Sequence, residues 1–186
     1  MSHRLLIFAC WFVLGFYWKL RAGTAKPAMQ VQDAQSRLAR FPVWLGFLLL
    51  TVAGVCPSWG ALPGANSAAV AWLGVALCAS GLAFAVWSRR TLGDDWSRDV
   101  DLKQGHRLVL RGPYSLVRHP IYTAHLLMAL GSAISFGMWL GYVAVVSFFV
   151  GFRVKLVQEE ELLLRSFPNE YPEYKARVKA LVPWVL

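Results

Sequence analysis

Residues 119–152 read HPIYTAHLLMALGSAISFGMWLGYVAVVSFFVGF, a stretch without an Asp, Glu, Lys or Arg. A helix needs about 20 mostly apolar residues to cross the hydrocarbon of a bilayer, so a turn inside this stretch makes it two crossings. Phe136-Gly137 supplies that turn, and Pro120, whose missing N–H is no loss at a first helical position, opens the hairpin.

Outward from the hairpin the pattern repeats. Phe41 to Ser88 is likewise free of formal charge and is broken in two by Pro57, Gly60, Pro63 and Gly64, and Leu5 to Leu20 adds a span at the front. The expected fold class is all-α: a polytopic membrane bundle of about five helices with a cytoplasmic cofactor pocket and a C-terminal interfacial helix. A cleaved secretory signal is the competing reading of the first segment, because Arg4 precedes an apolar run. Trp11, Tyr17 and Trp18 interrupt that run and no good cleavage site follows, so the expectation is a retained helix.

Composition points the same way. Of 186 residues 57% are hydrophobic and only 16% charged, which excludes an ordinary soluble domain. The net charge of +9 would suit nucleic acid, but the bases are segregated: five fall in Lys19–Arg40, seven in Arg89–Arg118 and six in Arg153–Lys179, all on one side of a five-span chain, and only Arg4 falls on the other. The positive-inside rule makes the rich side cytoplasmic, with the N-terminus out and the C-terminus in. The surplus then reflects topology and contact with anionic lipid, and no nucleic-acid partner is expected. Cys10, Cys56 and Cys78 lie in apolar spans without paired spacing, so neither a disulfide framework nor a metal site is expected.

The two parts of the chain differ. Residues 1–88 hold one acid, Asp33, and read as membrane anchor helices; small residues in the third span, Ala76, Ala79, Ser80, Gly81 and Ala83, favour close helix approach. Residues 89–186 carry nine of the ten acids and three of the four His, and read as a cofactor-binding loop, a helical hairpin and a cytoplasmic helix in one integrated domain. That last helix is expected within Arg165–Pro183, with Tyr171, Tyr174, Val178 and Leu181 at helical spacing.

Two polar clusters stand at membrane depth in this second part. In Arg111–Tyr122, Arg118 and His119 precede Pro120, so the free N–H groups and positive dipole end of the next helix would face the cytoplasm beside two basic side chains, a site for a carboxylate or phosphate. Arg118 read alone is an inner-leaflet marker. The second cluster is Lys155, Glu159, Glu160 and Glu161. Three consecutive carboxylates span about 200 degrees of a helix, so at least one faces the bundle and suits a cation. Glu161 pairs naturally with Arg165 one turn on. An anion site and a cation site on one hairpin match S-adenosylmethionine, which carries a carboxylate and a sulfonium.

The string Gly112-Pro-Tyr114-x-x-Val-Arg118-His119-Pro120-x-Tyr122, then Glu159-Glu160-x-x-Leu163-x-x-x-Phe167, then Glu170-Tyr171-x-x-Tyr174-x-x-Arg177-Val178 and Pro183, resembles the isoprenylcysteine carboxyl methyltransferase family from about Leu92 onward. The resemblance implies a membrane enzyme that methylates a lipophilic small-molecule or lipidated substrate with S-adenosylmethionine. It implies cofactor contacts from His106, Arg107, Leu108 and Val109, from Tyr114, from His119, Pro120, Ile121 and Tyr122, and from Glu159. It places Lys155 at the substrate, where eukaryotic members have an arginine, and a lysine cannot grip a carboxylate with two parallel hydrogen bonds. Arg118 and Glu160 complete the expected catalytic group, Glu160 as the proton acceptor should the substrate be an amine. Pro168 stands where the family has glycine, leaving Asn169 to cap the tail helix. Phospholipid N-methyltransferases are similar over the same motifs, and the NADPH-dependent membrane sterol reductases share the His-Pro-x-Tyr, so these stand as alternatives. A non-enzymatic membrane scaffold is the third.

Overall fold

The computed structural model describes residues 2–22, 28–31, 33–56, 61–62, 67–93, 101–103 and 108–183. Five long helices dominate: α1 (Ser2–Ala22), α2 (Asp33–Val55), α3 (Ala68–Leu92), α5 (Pro120–Phe136) and α6 (Trp139–Ser166), with a short α4 (Pro113–Leu116) before the hairpin and α7 (Glu170–Arg177) after it. They coincide with the five apolar segments of the sequence. The fold is all-α as expected, with one short ribbon in its connections: β1 (Ala28–Val31) and β2 (Asp101–Lys103) pair antiparallel with Val31 opposite Asp101.

The α5–α6 turn is as tight as the sequence demands. Gly137 sits in the left-handed region (φ 64°, ψ 34°), where a Cβ would be strained, and its N–H closes α5 on Ala133 O. Met138 follows and α6 begins at once.

Helices α3 and α5 touch almost backbone to backbone. A Cβ on Gly131 would stand 2.5 Å from Cys78 N and 2.6 Å from Gly74 O, and one on Gly74 would stand 2.5 Å from Gly131 O. The buried face of α3 is Ala71, Gly74, Cys78, Gly81 and Ala85, at the three-and-four spacing of one helix side. Of the small residues expected at this contact, Gly81 is there, whereas Ala76, Ala79, Ser80 and Ala83 point outward, being off that side by one or two residues.

The bundle is apolar outside as well as inside. Phe12, Phe16, Trp44, Leu48, Trp72, Leu73, Val146 and Phe149 are all exposed. Helices α3 and α6 are long and apolar enough to cross a membrane, yet only 28% and 33% of their most apolar windows are buried, the reverse of a soluble core helix. Such a surface suits hydrocarbon rather than water. Arg40–Val55 and Pro120–Phe136 are shorter apolar helices beside them.

At one end of the bundle Arg4 donates to Gly54 O (2.8 Å) near the end of α2 and to Phe136 O (3.5 Å) at the end of α5, a cation on two helix C-termini. The polar clusters lie at the other end, at the start of α5.

Candidate active site

Pro120 starts α5, and what precedes it is tied to the tail. Arg118 N–H donates to Lys179 O (2.8 Å), His119 N–H to Ala180 O (3.0 Å), and the Thr123 hydroxyl to Leu181 O (2.7 Å). The amides of Arg118 and His119 are therefore occupied by the chain's own carbonyls, and of the first-turn N–H groups of α5, expected to face an anion, those of Tyr122 and Thr123 donate to His119 O at 3.1 Å. The tail can do this because α7 ends at Arg177, leaving 178–181 non-helical. Val178 and Leu181, expected on the helix, lie in this segment. Asn169 holds the N-cap position, but its side chain makes no cap bond.

Glu160 is the hub of a buried ion cluster. Its Oε1 accepts from Arg118 Nε (2.9 Å) and Nη2 (2.6 Å), and its Oε2 meets Lys175 Nζ at 2.7 Å. Arg118 also donates through Nη1 to Lys175 O (3.2 Å) and to Val178 O. One arginine thus joins α6, α7 and the tail to the start of α5.

His119 stands between the two carboxylates, Nε2 at 3.3 Å from Glu160 Oε1 and Nδ1 at 3.4 Å from Glu159 Oε2. Burial pushes its pKa down, but the hydrogen bonds and charges of Glu159 and Glu160 outweigh burial and hold it above the ordinary value. A carboxylate faces each ring nitrogen, an arrangement that favours the charged form of the ring.

Glu159 differs from its neighbour. Its side chain is 26% exposed against 7% for Glu160, and its partners are the Tyr122 hydroxyl, which donates to Oε1, and His119. The Tyr122 ring stacks on His119 (centroids 5.6 Å) and on Phe152 (4.8 Å), and Lys155 Nζ lies 5.8 Å from its centroid. Glu161 pairs with Arg165 at 2.5 Å on the exposed side, as the spacing led one to expect.

The structure brings together Arg118, His119, Tyr122, Lys155, Glu159 and Glu160. Pro120 is buried beside them and Ile121 half-buried. Tyr114, on α4, is buried and its carbonyl accepts from the Tyr174 hydroxyl (2.6 Å). Burial and the Glu159 charge push its phenol above the ordinary range. Leu108 and Val109 are half-buried in the segment before α4, while His106 and Arg107 lie outside the described residues. Sequence reasoning missed Lys175, whose only signal was its charge, and the carbonyls of 178–181, which no side-chain pattern announces.

The sequence profile of the phospholipid methyltransferase family matches residues 69–170, more than half of the chain. The chain belongs to that family. Among curated relatives, a probable protein-S-isoprenylcysteine O-methyltransferase of Oryza sativa is 32% identical over 87 residues, 46% of each chain. Methanethiol S-methyltransferase 1 of Bradyrhizobium diazoefficiens is 34% identical over 71 residues, 38% of this chain and 24% of its own. This family member thus spans about half the length, or less, of the curated relatives it matches. Its fold is similar to that of the eukaryotic intramembrane Ras methyltransferase, an isoprenylcysteine carboxyl methyltransferase, with TM-score 0.59 and 20% identity over 84% of this chain and 55% of that one. The resemblance read from the motifs thus holds at the level of family.

Proposed function

We propose that the chain is an integral-membrane methyltransferase that moves a methyl group from S-adenosylmethionine to a lipophilic acceptor, lipidated or small. The observation that carries this reading is Glu159, a partly open carboxylate at the head of the hairpin, held by Tyr122 and His119 while Glu160 beside it is filled by Arg118, His119 and Lys175. A sulfonium or ammonium needs an anion that is not already matched by a guanidinium, and Glu159 fits that need. His106–Val109, Tyr114 and His119–Tyr122 would line the remainder of the cofactor.

When bound, S-adenosylmethionine supplies an electrophilic methyl on a sulfonium. The residues then orient and exclude water. Arg118 and Glu160 act as positioning residues: they fix His119, which fixes Glu159, and they clamp the tail across the start of α5. The same saturation argues against Glu160 as a proton acceptor. Lys155 faces the acceptor. A lipid amine, suggested by the family's name, would carry its ammonium form toward the Lys155 charge, which weighs against phospholipid N-methylation.

We further infer five spans with the N-terminus out, residues 1–88 as the anchor, and the site on the cytoplasmic side, because eighteen of nineteen Lys and Arg then share that side with it. The test of function is calorimetric titration of the purified full chain with S-adenosylhomocysteine and, in parallel, NADPH. Binding of S-adenosylhomocysteine alone is expected; binding of NADPH alone would replace the methyltransferase with a reductase.

A further inference from the structure

We propose that His125 accepts the proton of the methyl acceptor and that this acceptor is a thiol, an inference that rests on the methyltransferase reading above. His125 lies one turn beyond Tyr122 on α5, as Lys155 lies one turn beyond Phe152 on α6. These four side chains form a frame: Tyr122 stacks on Phe152 at 4.8 Å, His125 meets Phe152 at 5.7 Å, and the Lys155 ammonium stands 5.8 Å from the Tyr122 centroid. Helix α1 closes the frame with Trp18 edge-on to His125 (5.9 Å) and Trp11 tilted against it (6.1 Å).

The tautomer follows from one contact. His125 Nδ1 is 2.7 Å from Ile121 O, and a carbonyl oxygen can only accept, so Nδ1 carries the hydrogen. Nε2 of the neutral ring then holds a lone pair, on the edge turned away from its own helix. His119, the other histidine at this end, faces carboxylates with both nitrogens and has nothing left to accept with. Among the described residues near Tyr122, His125 is the histidine equipped to take a proton. The charged side chain that acts on it from α6 is Lys155, and α1 sets the Trp11 and Trp18 rings against it.

The frame also selects the nucleophile. A carboxylate arrives without a proton and would set its oxygen lone pairs against that of Nε2. An ammonium brings no lone pair for the methyl group and sets its charge against that of Lys155, with Glu159 engaged by the cofactor in the reading above. A thiol delivers its proton to Nε2, becomes a thiolate beside the Lys155 cation, and its sulfur packs well on aromatic rings. The thiolate pair then forms the bond to the methyl carbon, the bond from that carbon to the sulfonium sulfur breaks with its pair kept on that sulfur, and the imidazolium of His125 releases its proton to water. The products are a thioether and S-adenosylhomocysteine.

The experiment uses the full chain in lipid nanodiscs, with decane-1-thiol and decanoate as probes. Methylation of decane-1-thiol is expected, with H125Q lowering kcat by roughly 100-fold or more, the range of general-base removal. KM should change little, and activity should recover at high pH as the thiol ionises unaided. H125F, which keeps the aromatic packing, should behave alike, and S-adenosylhomocysteine titration should be unaltered in both. Without any turnover or variant, nitrogen-15 resonances of His125 should report the Nδ1-protonated tautomer and an Nε2 signal that moves on adding decane-1-thiol but not decanoate. Wild-type kcat in H125F, methylation of decanoate instead of the thiol, or an unmoved Nε2 signal would overturn the proposal. Failure of the wild-type chain to bind S-adenosylhomocysteine would overturn the methyltransferase reading, and the proposal with it.

Discussion

Glu159 and Glu160 are adjacent in sequence, yet a helix turns them about 100 degrees apart, and that rotation divides their work. Glu160 forms a buried pair with Arg118 and also meets the more exposed Lys175; removing one partner of the buried pair leaves an uncompensated charge and costs about 3–5 kcal/mol. Glu160→Gln is therefore expected to lower the thermal unfolding midpoint in detergent sharply. Glu159→Gln, which removes one of the two charges that hold His119 but leaves the Arg118 pair intact, should lower that midpoint less than Glu160→Gln does and weaken S-adenosylhomocysteine binding by about 10- to 100-fold, the worth of one hydrogen bond to a charged group. Equal loss of stability in the two variants would refute this division. His119 adds a pH dependence. Its folded-state pKa is raised above 6.5, so the charged ring's contribution is complete below that value and is lost as pH climbs through the folded-state pKa. Melting curves should shift downward as pH rises above about 6.5, and His119→Asn should flatten that slope.

At the scale of the helices, the contact between α3 and α5 depends on glycines without side chains to move. Gly131→Ala puts a Cβ against the backbone of Cys78 and Gly74, not against a flexible tip, so one or both helices must shift; an overpacking loss of about 1–3 kcal/mol is expected by thermal unfolding, while Ala79→Leu, on the outward side, should be neutral. Sequence made the five apolar helices legible, because length and absence of charge are local properties. It did not reveal which small residues of α3 face inward: Ala76, Ala79, Ser80 and Ala83 are as small as Gly74 and Cys78, and only the partner helix chooses the side. The candidate site was legible to the extent that it is built from side chains on the hairpin, namely Tyr122, Lys155 and Glu159. The occupied amides at Arg118 and His119 were illegible, because the backbone carbonyls of Lys179 and Ala180, far along the chain, carry no sequence signal.

Across the whole molecule the charges sort to opposite ends. Arg4 caps α2 and α5 where they finish, and Arg118, Lys155 and Lys175 gather where α5 begins and α6 finishes. In the topology proposed above these two ends meet different compartments, and the candidate site lies at the end that the basic loops share. If the positive-inside reading is right, a cysteine placed at Ser2 in a chain with Cys10, Cys56 and Cys78 replaced by alanine will react with a membrane-impermeant maleimide in intact cells. A cysteine placed at Arg177, on the exposed side of α7, will react only after permeabilisation. Labelling of both positions in intact cells would require an even number of crossings between Ser2 and Arg177, and the basic loops could not then share one compartment. Labelling of Arg177 alone would invert the bundle and put the cofactor site outside, away from any cytosolic methyl donor.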